Sequence, residues 1–176
     1  MALFYYPFLA LATAGLFAVF GIHLAALLGA TYPFEHFVMI LGPGVFIVWL
    51  PTMLVSFRMT RNVKQRDFWR ATLRGCPKWM QRVLWILAGY SWVGFFALPL
   101  IYGGGMEAPA NKARSMSDVL LIFYAIAACV LYSAIQLEKL GKDSFCVNGH
   151  RISPFAKHCE ECGAPARAKF NPQNLI

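Results

Sequence analysis

Four long apolar runs separated by short polar connections dominate the chain. They cover about residues 3–30, 37–57, 83–102 and 119–137, and none of them contains aspartate, glutamate, lysine or arginine. A helix needs about 20 apolar residues to cross a bilayer, and each run is long enough. The pattern predicts an all-α membrane protein with four transmembrane helices over residues 1–142. After Leu137 the sequence turns polar, and residues 143–165 read as a separate small module followed by a tail, 166–176.

Composition agrees with that division. The chain of 176 residues is 59% hydrophobic and only 14% charged, where a soluble domain carries about a quarter charged residues. The first run lacks the basic start of a secretory signal and is longer than a signal's apolar core, so it is expected to remain as a span. Charge then sets the orientation. Residues 58–82 hold Arg58, Arg61, Lys64, Arg66, Arg70, Arg74, Lys78 and Arg82, eight of the 16 basic residues, opposed only by Asp67. Lysine and arginine collect on the cytoplasmic side. This segment and both termini are therefore expected in the cytoplasm, with the chain a multi-pass protein of the plasma (inner) membrane and the lipid bilayer its first partner. The +8 net charge suits anionic headgroups beside the spans; with no aromatic-and-basic binding module, nucleic acid is not an expected partner. Arg66, Arg70 and Arg74 would form a stripe if this segment were helical. Gly75-Cys76-Pro77 reads as a stop followed by the next helix start.

Within the spans, small residues mark candidate contact faces: Gly21, Ala25 and Gly29, or Ala14 and Ala18, in the first, and Ala125, Cys129 and Ser133 in the last. Ser115-Met-Ser-Asp118 supplies caps for a fourth helix starting near residue 119. Pro43 and Pro51 should bend or break the second. Trp79, Trp85, Tyr5, Tyr6, Tyr32 and Tyr102 fall near span ends, where amphipathic rings favour the interface. His23 lies well inside a span and His36 near the end of another; haem, metal or proton relay are the functional options for such a histidine, and a neutral hydrogen bond to a neighbouring helix is the structural one. The spans hold no carboxylate or arginine by this reading, which argues against an ion-coupled pump. A transport path would have to run past Tyr90, Ser91, Ser133 and Gln136.

The polar module carries the clearest chemistry, in CVNGHRISPFAKHCEECG. Zinc takes four nitrogen or sulfur ligands in a tetrahedron, supplied in pairs from tight turns. Cys159-x-x-Cys162-Gly163 is one such turn, and Cys146 with His150 offers the other pair; His158, beside Cys159, is the alternative imidazole. About twenty residues cannot bury an adequate core, so metal binding would supply the folding free energy, with Phe145, Ile152 and Phe155 as cover. A disulfide framework conflicts with a cytoplasmic tail, and a redox Cys-x-x-Cys lacks its βαβ context.

The stretch resembles the zinc-ribbon pattern in which a Cys-x-x-Cys-Gly-His turn is followed by Phe-Cys-x-x-Cys-Gly-Ala-Pro. Cys146, Cys159 and Cys162 match its first, third and fourth ligands. The second cysteine would fall between Asn148 and Gly149 and is absent. The resemblance covers about 20 of the residues and implies a fold module holding a structural zinc, not an activity. RGCPKWMQRV and the four-span layout also resemble bacterial membrane proteins that carry a C-terminal zinc ribbon. The expected function is a non-enzymatic adaptor or accessory subunit that presents a cytoplasmic zinc ribbon to a protein partner or membrane complex. A membrane redox component using His23 or the tail cysteines, and a small-molecule transporter, are the alternatives.

Overall fold

The computed structural model describes residues 2–29, 34–60, 63–102, 109–141, 146–150, 158–159 and 161–165. Five α-helices follow in chain order: α1 (Ala2–Leu27), α2 (Phe34–Thr60), α3 (Phe68–Thr72), α4 (Lys78–Tyr102) and α5 (Pro109–Gly141), with a 3₁₀ turn at Gln65–Asp67. Among the described residues there is no strand, only an isolated bridge between His158 and Pro165. Among the described residues, three segments are long and apolar enough to cross a membrane: Leu3–Leu27, Ile40–Thr60 and Ala113–Lys139. The outward faces of α1, α2 and α4 are apolar, with Phe17 71%, Phe46 76%, Ile86 69% and Trp92 71% exposed. A soluble surface does not present such a continuous apolar coat.

Helix α5 is the axis of the bundle, packed against α1, α2 and α4. It is buried almost all round, through Leu121, Tyr124, Ala125, Ala127, Ala128, Cys129, Val130, Leu131, Ser133, Ala134 and Ile135. One core joins Ala12 and Val19 of α1 and Val48 of α2 to Leu121, Tyr124, Ala128 and Leu131. The expected face Ala125–Cys129–Ser133 is buried. The expected faces of α1 are not: Ala14, Ala18 and Gly21 point outward, and Gly29 lies beyond the helix end. The buried line is instead Ala12, Gly15, Val19, His23 and Ala26, a mixed ladder whose spacings of three and four follow one helical stripe. Gly15 belongs there because a Cβ would run into the Tyr124 ring. That ring reaches across to donate its hydroxyl to the Leu41 carbonyl at 2.9 Å.

Helix α2 continues through Pro43 and Pro51 without a break. Tertiary packing overrides the local signal here, since Val48, Pro51 and Thr52 are all buried. The segment between α2 and α4 forms no long in-plane helix, only the 3₁₀ turn and the five-residue α3. Its last part folds back on α5: the Gly75 amide donates to Ser133 Oγ at 2.9 Å, and Cys76 Sγ donates to the Cys129 carbonyl at 3.0 Å. Helix α4 then starts after Pro77, as the sequence indicates, with Gln81 Nε2 donating to the Leu73 and Cys76 carbonyls. Hydrogen bonding with Cys129, aided by burial, holds the Cys76 thiol well above its ordinary range. It is a packing thiol, not a nucleophile.

The start of α1 lies at the same end of the bundle as the end of α2 and the end of α5. Tyr5 packs against Val55, Met59, Val130, Ala134 and Leu137, Arg58 Nη1 donates to the Tyr5 hydroxyl at 3.5 Å, and Lys139 Nζ sits 5.7 Å over the Tyr6 ring. Tyr32 lies outside the described residues, as do the side chains of His36 and Tyr102.

The α1 packing yields a paired prediction. Gly15→Ala should lower unfolding stability in mixed detergent by about 1–3 kcal/mol through overpacking. Gly21→Ala, with open space around it, should leave stability unchanged or raise it slightly, because alanine is the better helix former. Equal losses at both positions would contradict the assigned face.

Candidate metal centre and a buried polar cluster

The tail forms two tight turns of the same design. In the second, the Gly163 amide donates to the Cys159 carbonyl at 3.0 Å, and the Cys159 amide donates to the Ala164 carbonyl at 2.8 Å. In the first, the Gly149 amide donates to the Cys146 carbonyl at 3.0 Å, and the Cys146 amide donates to the His150 carbonyl at 2.8 Å. Each bond of the first turn spans one residue fewer. Gly149 and Gly163 occupy equivalent corners with φ of 82° and 67°, a left-handed conformation that glycine adopts without a Cβ penalty. The first turn is therefore the second with one position deleted, at the place where a cysteine would stand. His150 follows the corner glycine, and its longer side chain reaches back to fill the gap.

The result brings Cys146, His150, Cys159 and Cys162 together, with one ligand atom from each lying within 4.8 Å of the others. Cys146 Sγ and Cys162 Sγ are 3.7 Å apart, and Cys159 Sγ and His150 Nδ1 are 3.8 Å apart. Thiolates about 2.3 Å from a tetrahedral zinc stand about 3.8 Å from each other, so the donor set has the size of a zinc site. A disulfide is far shorter, about 2.05 Å, and all five cysteines are free. Cys146 and Cys159 are buried and Cys162 is exposed. The His150 amide donates to Cys146 Sγ at 3.3 Å, support of the kind that orients a metal-binding thiolate. Glu161 Oε2 stands 3.8 Å from His150 Nδ1, with both side chains well exposed. His158 is exposed and takes no place in the cluster; its backbone bridges Pro165. Phe145, Ile152 and Phe155 lie outside the described residues.

A second polar site lies where the sequence reading places none. Helix α5 starts at Pro109, so Ser115–Asp118 are not caps before a helix but part of its buried wall. Asp118 is 0% exposed, and Arg114, Ser115 and Ser117 are buried with it. The expectation of spans without carboxylate or arginine is corrected accordingly. Arg114 Nε donates to the Ala26 carbonyl at 3.1 Å, closing the C-terminal end of α1, where backbone carbonyls lack partners and a cation is favoured. His23 reaches across from α1: Nδ1 is 2.8 Å from Ser117 Oγ, Nε2 is 2.7 Å from the Tyr90 hydroxyl of α4, and Nε2 is 3.5 Å from Asp118 Oδ1. Ser91 Oγ donates to the Asp118 carbonyl at 3.3 Å. Tyr90 and Ser91 thus gather at this cluster, while Ser133 serves Gly75 elsewhere. The missed signal is the small-residue face itself: followed four residues at a time from Ser133 through Cys129 and Ala125, it continues to Leu121, Ser117 and Ala113, all of them buried.

Comparison with protein-family models, curated proteins and solved structures gives no match.

The donor geometry predicts one zinc per chain in metal analysis of purified protein. Cys159→Ser should abolish binding, since it removes a buried ligand, and His150→Ala should weaken it at least tenfold. His158→Ala should leave the zinc content unchanged. Loss of metal in His158→Ala but not in His150→Ala would overturn the assignment.

Proposed function

We propose that the chain is a four-span protein of the plasma (inner) membrane, with α4 as the third of the four crossings. In this reading it acts as a non-enzymatic adaptor or accessory subunit, presenting a structural zinc ribbon to a protein partner in the cytoplasm. The observation that carries the reading is the closed donor set of Cys146, His150, Cys159 and Cys162. Four protein ligands leave no open coordination position, so a zinc there would organise the tail rather than activate water or a carbonyl. Three thiolates, a neutral imidazole and Zn²⁺ leave one net negative charge on that site.

Further support comes from the ends of the helices. α4 is a 25-residue helix with a largely apolar, outward-facing surface, as expected of a span. The start of α1 and the end of α5 gather with Arg58 at one end of the bundle. Lysine and arginine collect on the cytoplasmic side, which directs that end, with both termini and the basic segment 58–82, inward. Helix α5 runs to Gly141, and in sequence only residues 142–145 separate it from Cys146, a tether short enough to keep the ribbon near that end of the bundle. In sequence the ribbon carries Arg151 and Lys157 before its second turn and Glu160 and Glu161 within it, a mixed-charge surface suited to a protein rather than to nucleic acid.

Orientation can be checked with Lys64→Cys, an exposed position in the connecting segment. An impermeant maleimide should fail to label it in intact cells and label it after permeabilisation; native Cys76 stays silent in both because it is buried. Labelling in intact cells would invert the topology. For the adaptor role, deleting residues 143–176 should leave the protein inserted in the membrane and remove a partner that co-purifies with the full chain. A truncated protein that retains every partner would place the function in the helical bundle instead.

A further inference from the structure

Among the described residues, the hydrogen bonds around Asp118 leave the carboxyl group itself out. Neither carboxyl oxygen of Asp118 has a hydrogen-bond partner, nor does Ser115 Oγ three residues before it, although all three atoms are fully buried. A bare carboxylate removed from water is among the costliest groups a protein can bury. Among the described residues, each helix that faces it contributes a polar neighbour. α1 contributes His23, whose Nε2 lies 3.5 Å from Oδ1. α4 contributes Tyr90, which is hydrogen-bonded to that same nitrogen. α5 itself contributes Arg114, one turn before, whose Nε is committed to the end of α1.

Hydrogen counting shows what the site lacks. The Ser117 hydroxyl has one proton and can donate it to the Ala113 carbonyl at 2.8 Å or the Arg114 carbonyl at 2.9 Å. If it does so, it accepts from His23 Nδ1–H, and the lone pair on Nε2 accepts from Tyr90 and faces the bare Oδ1 of Asp118, acceptor against acceptor. If it donates to Nδ1 instead, Nε2 carries the single hydrogen for which the Tyr90 hydroxyl and Oδ1 compete, and Oδ1 at 3.5 Å still takes no hydrogen bond. One added proton resolves either case: on Asp118 it gives a neutral carboxylic acid able to donate, and on the ring it gives an imidazolium with Nε2–H toward the carboxylate while Tyr90 accepts. A fixed metal cation fits less well. Hard cations take about six or more oxygens, whereas the unpartnered oxygens here are two from Asp118 and one from Ser115, beside a permanent guanidinium.

We propose that His23 and Asp118 form a proton-binding site inside the membrane-spanning bundle, holding one exchangeable proton between them, with Tyr90 and Ser117 as its hydrogen-bond relay. The site joins α1, α4 and α5, so gain or loss of the proton changes the contact between three helices. It is independent of the metal centre in the tail.

The test uses full-length wild-type protein in lipid nanodiscs and dicyclohexylcarbodiimide, an apolar reagent that adds to protonated carboxyl groups. Peptide mass spectrometry should map an adduct to Asp118, with several-fold less adduct in alkaline than in acidic buffer. No adduct at Asp118 at any pH would overturn the proposal, leaving a permanently ionised carboxylate. An adduct independent of pH would overturn it as well, because the proton would then not exchange. Asp118→Asn should lose the labelling, and His23→Gln should move the pH at which labelling falls. Tyr90→Phe removes only a hydroxyl and should shift the same profile with zinc content and fold retained. Profiles unchanged in both His23→Gln and Tyr90→Phe would refute the shared site.

Discussion

Helix α5 is enclosed on nearly every side, and this enclosure governs the rest of the molecule. Where a helix is enclosed it cannot send a polar side chain to water. Each buried hydroxyl, carboxyl and guanidinium there must find a partner within the bundle or remain unsatisfied. Arg114 meets the end of α1, Ser117 meets His23, and Ser133 meets the segment before α4. Each of these contacts fixes a neighbouring element relative to the axis. The outer helices carry the complementary burden: α1, α2 and α4 each turn one narrow face inward and leave large apolar side chains outward, a surface that suits lipid better than water.

The tail obeys a different rule. Among its described residues the buried core is Cys146 and Cys159, and two glycine-cornered turns aim four donors at one point. The deletion in the first turn is instructive. Removing one residue shortens the backbone loop and would lose a ligand, yet the next residue after the glycine is a histidine whose imidazole spans the missing distance. The two turns thus supply four donors of two kinds, three thiols and one imidazole, a set that zinc accepts.

Much of this was legible from residue types alone, and the failures have physical reasons. Long charge-free runs announce helices because nothing else satisfies the backbone in lipid, and the glycine corners with paired cysteines announce the tail. The α1 face was misread because small residues at four-residue spacing mark a contact only when the partner helix lies there. The partner lies instead along Ala12, Gly15, Val19, His23 and Ala26. The Ser115–Asp118 misreading is of another kind. Serine and aspartate before an apolar run are the ordinary signs of a helix start, and no local hint in the sequence shows that the helix begins nearly three turns before residue 119, at Pro109. Whether a polar residue caps a helix or lines its buried wall depends on what packs beside it, here His23, Tyr90 and Ser91 from two other helices. That long-range pairing is invisible in any local window.

The enclosure of α5, including its polar first turns, is the claim on which the account stands. Hydrogen–deuterium exchange by mass spectrometry on the full chain in lipid tests it without any substitution. The account predicts that amides of residues 113–118 are protected as strongly as those of residues 121–135, because both belong to one buried helix. Exchange of 113–118 at the rate of a solvent-exposed connection, with protection beginning only near residue 119, would contradict it and return Asp118 to the water.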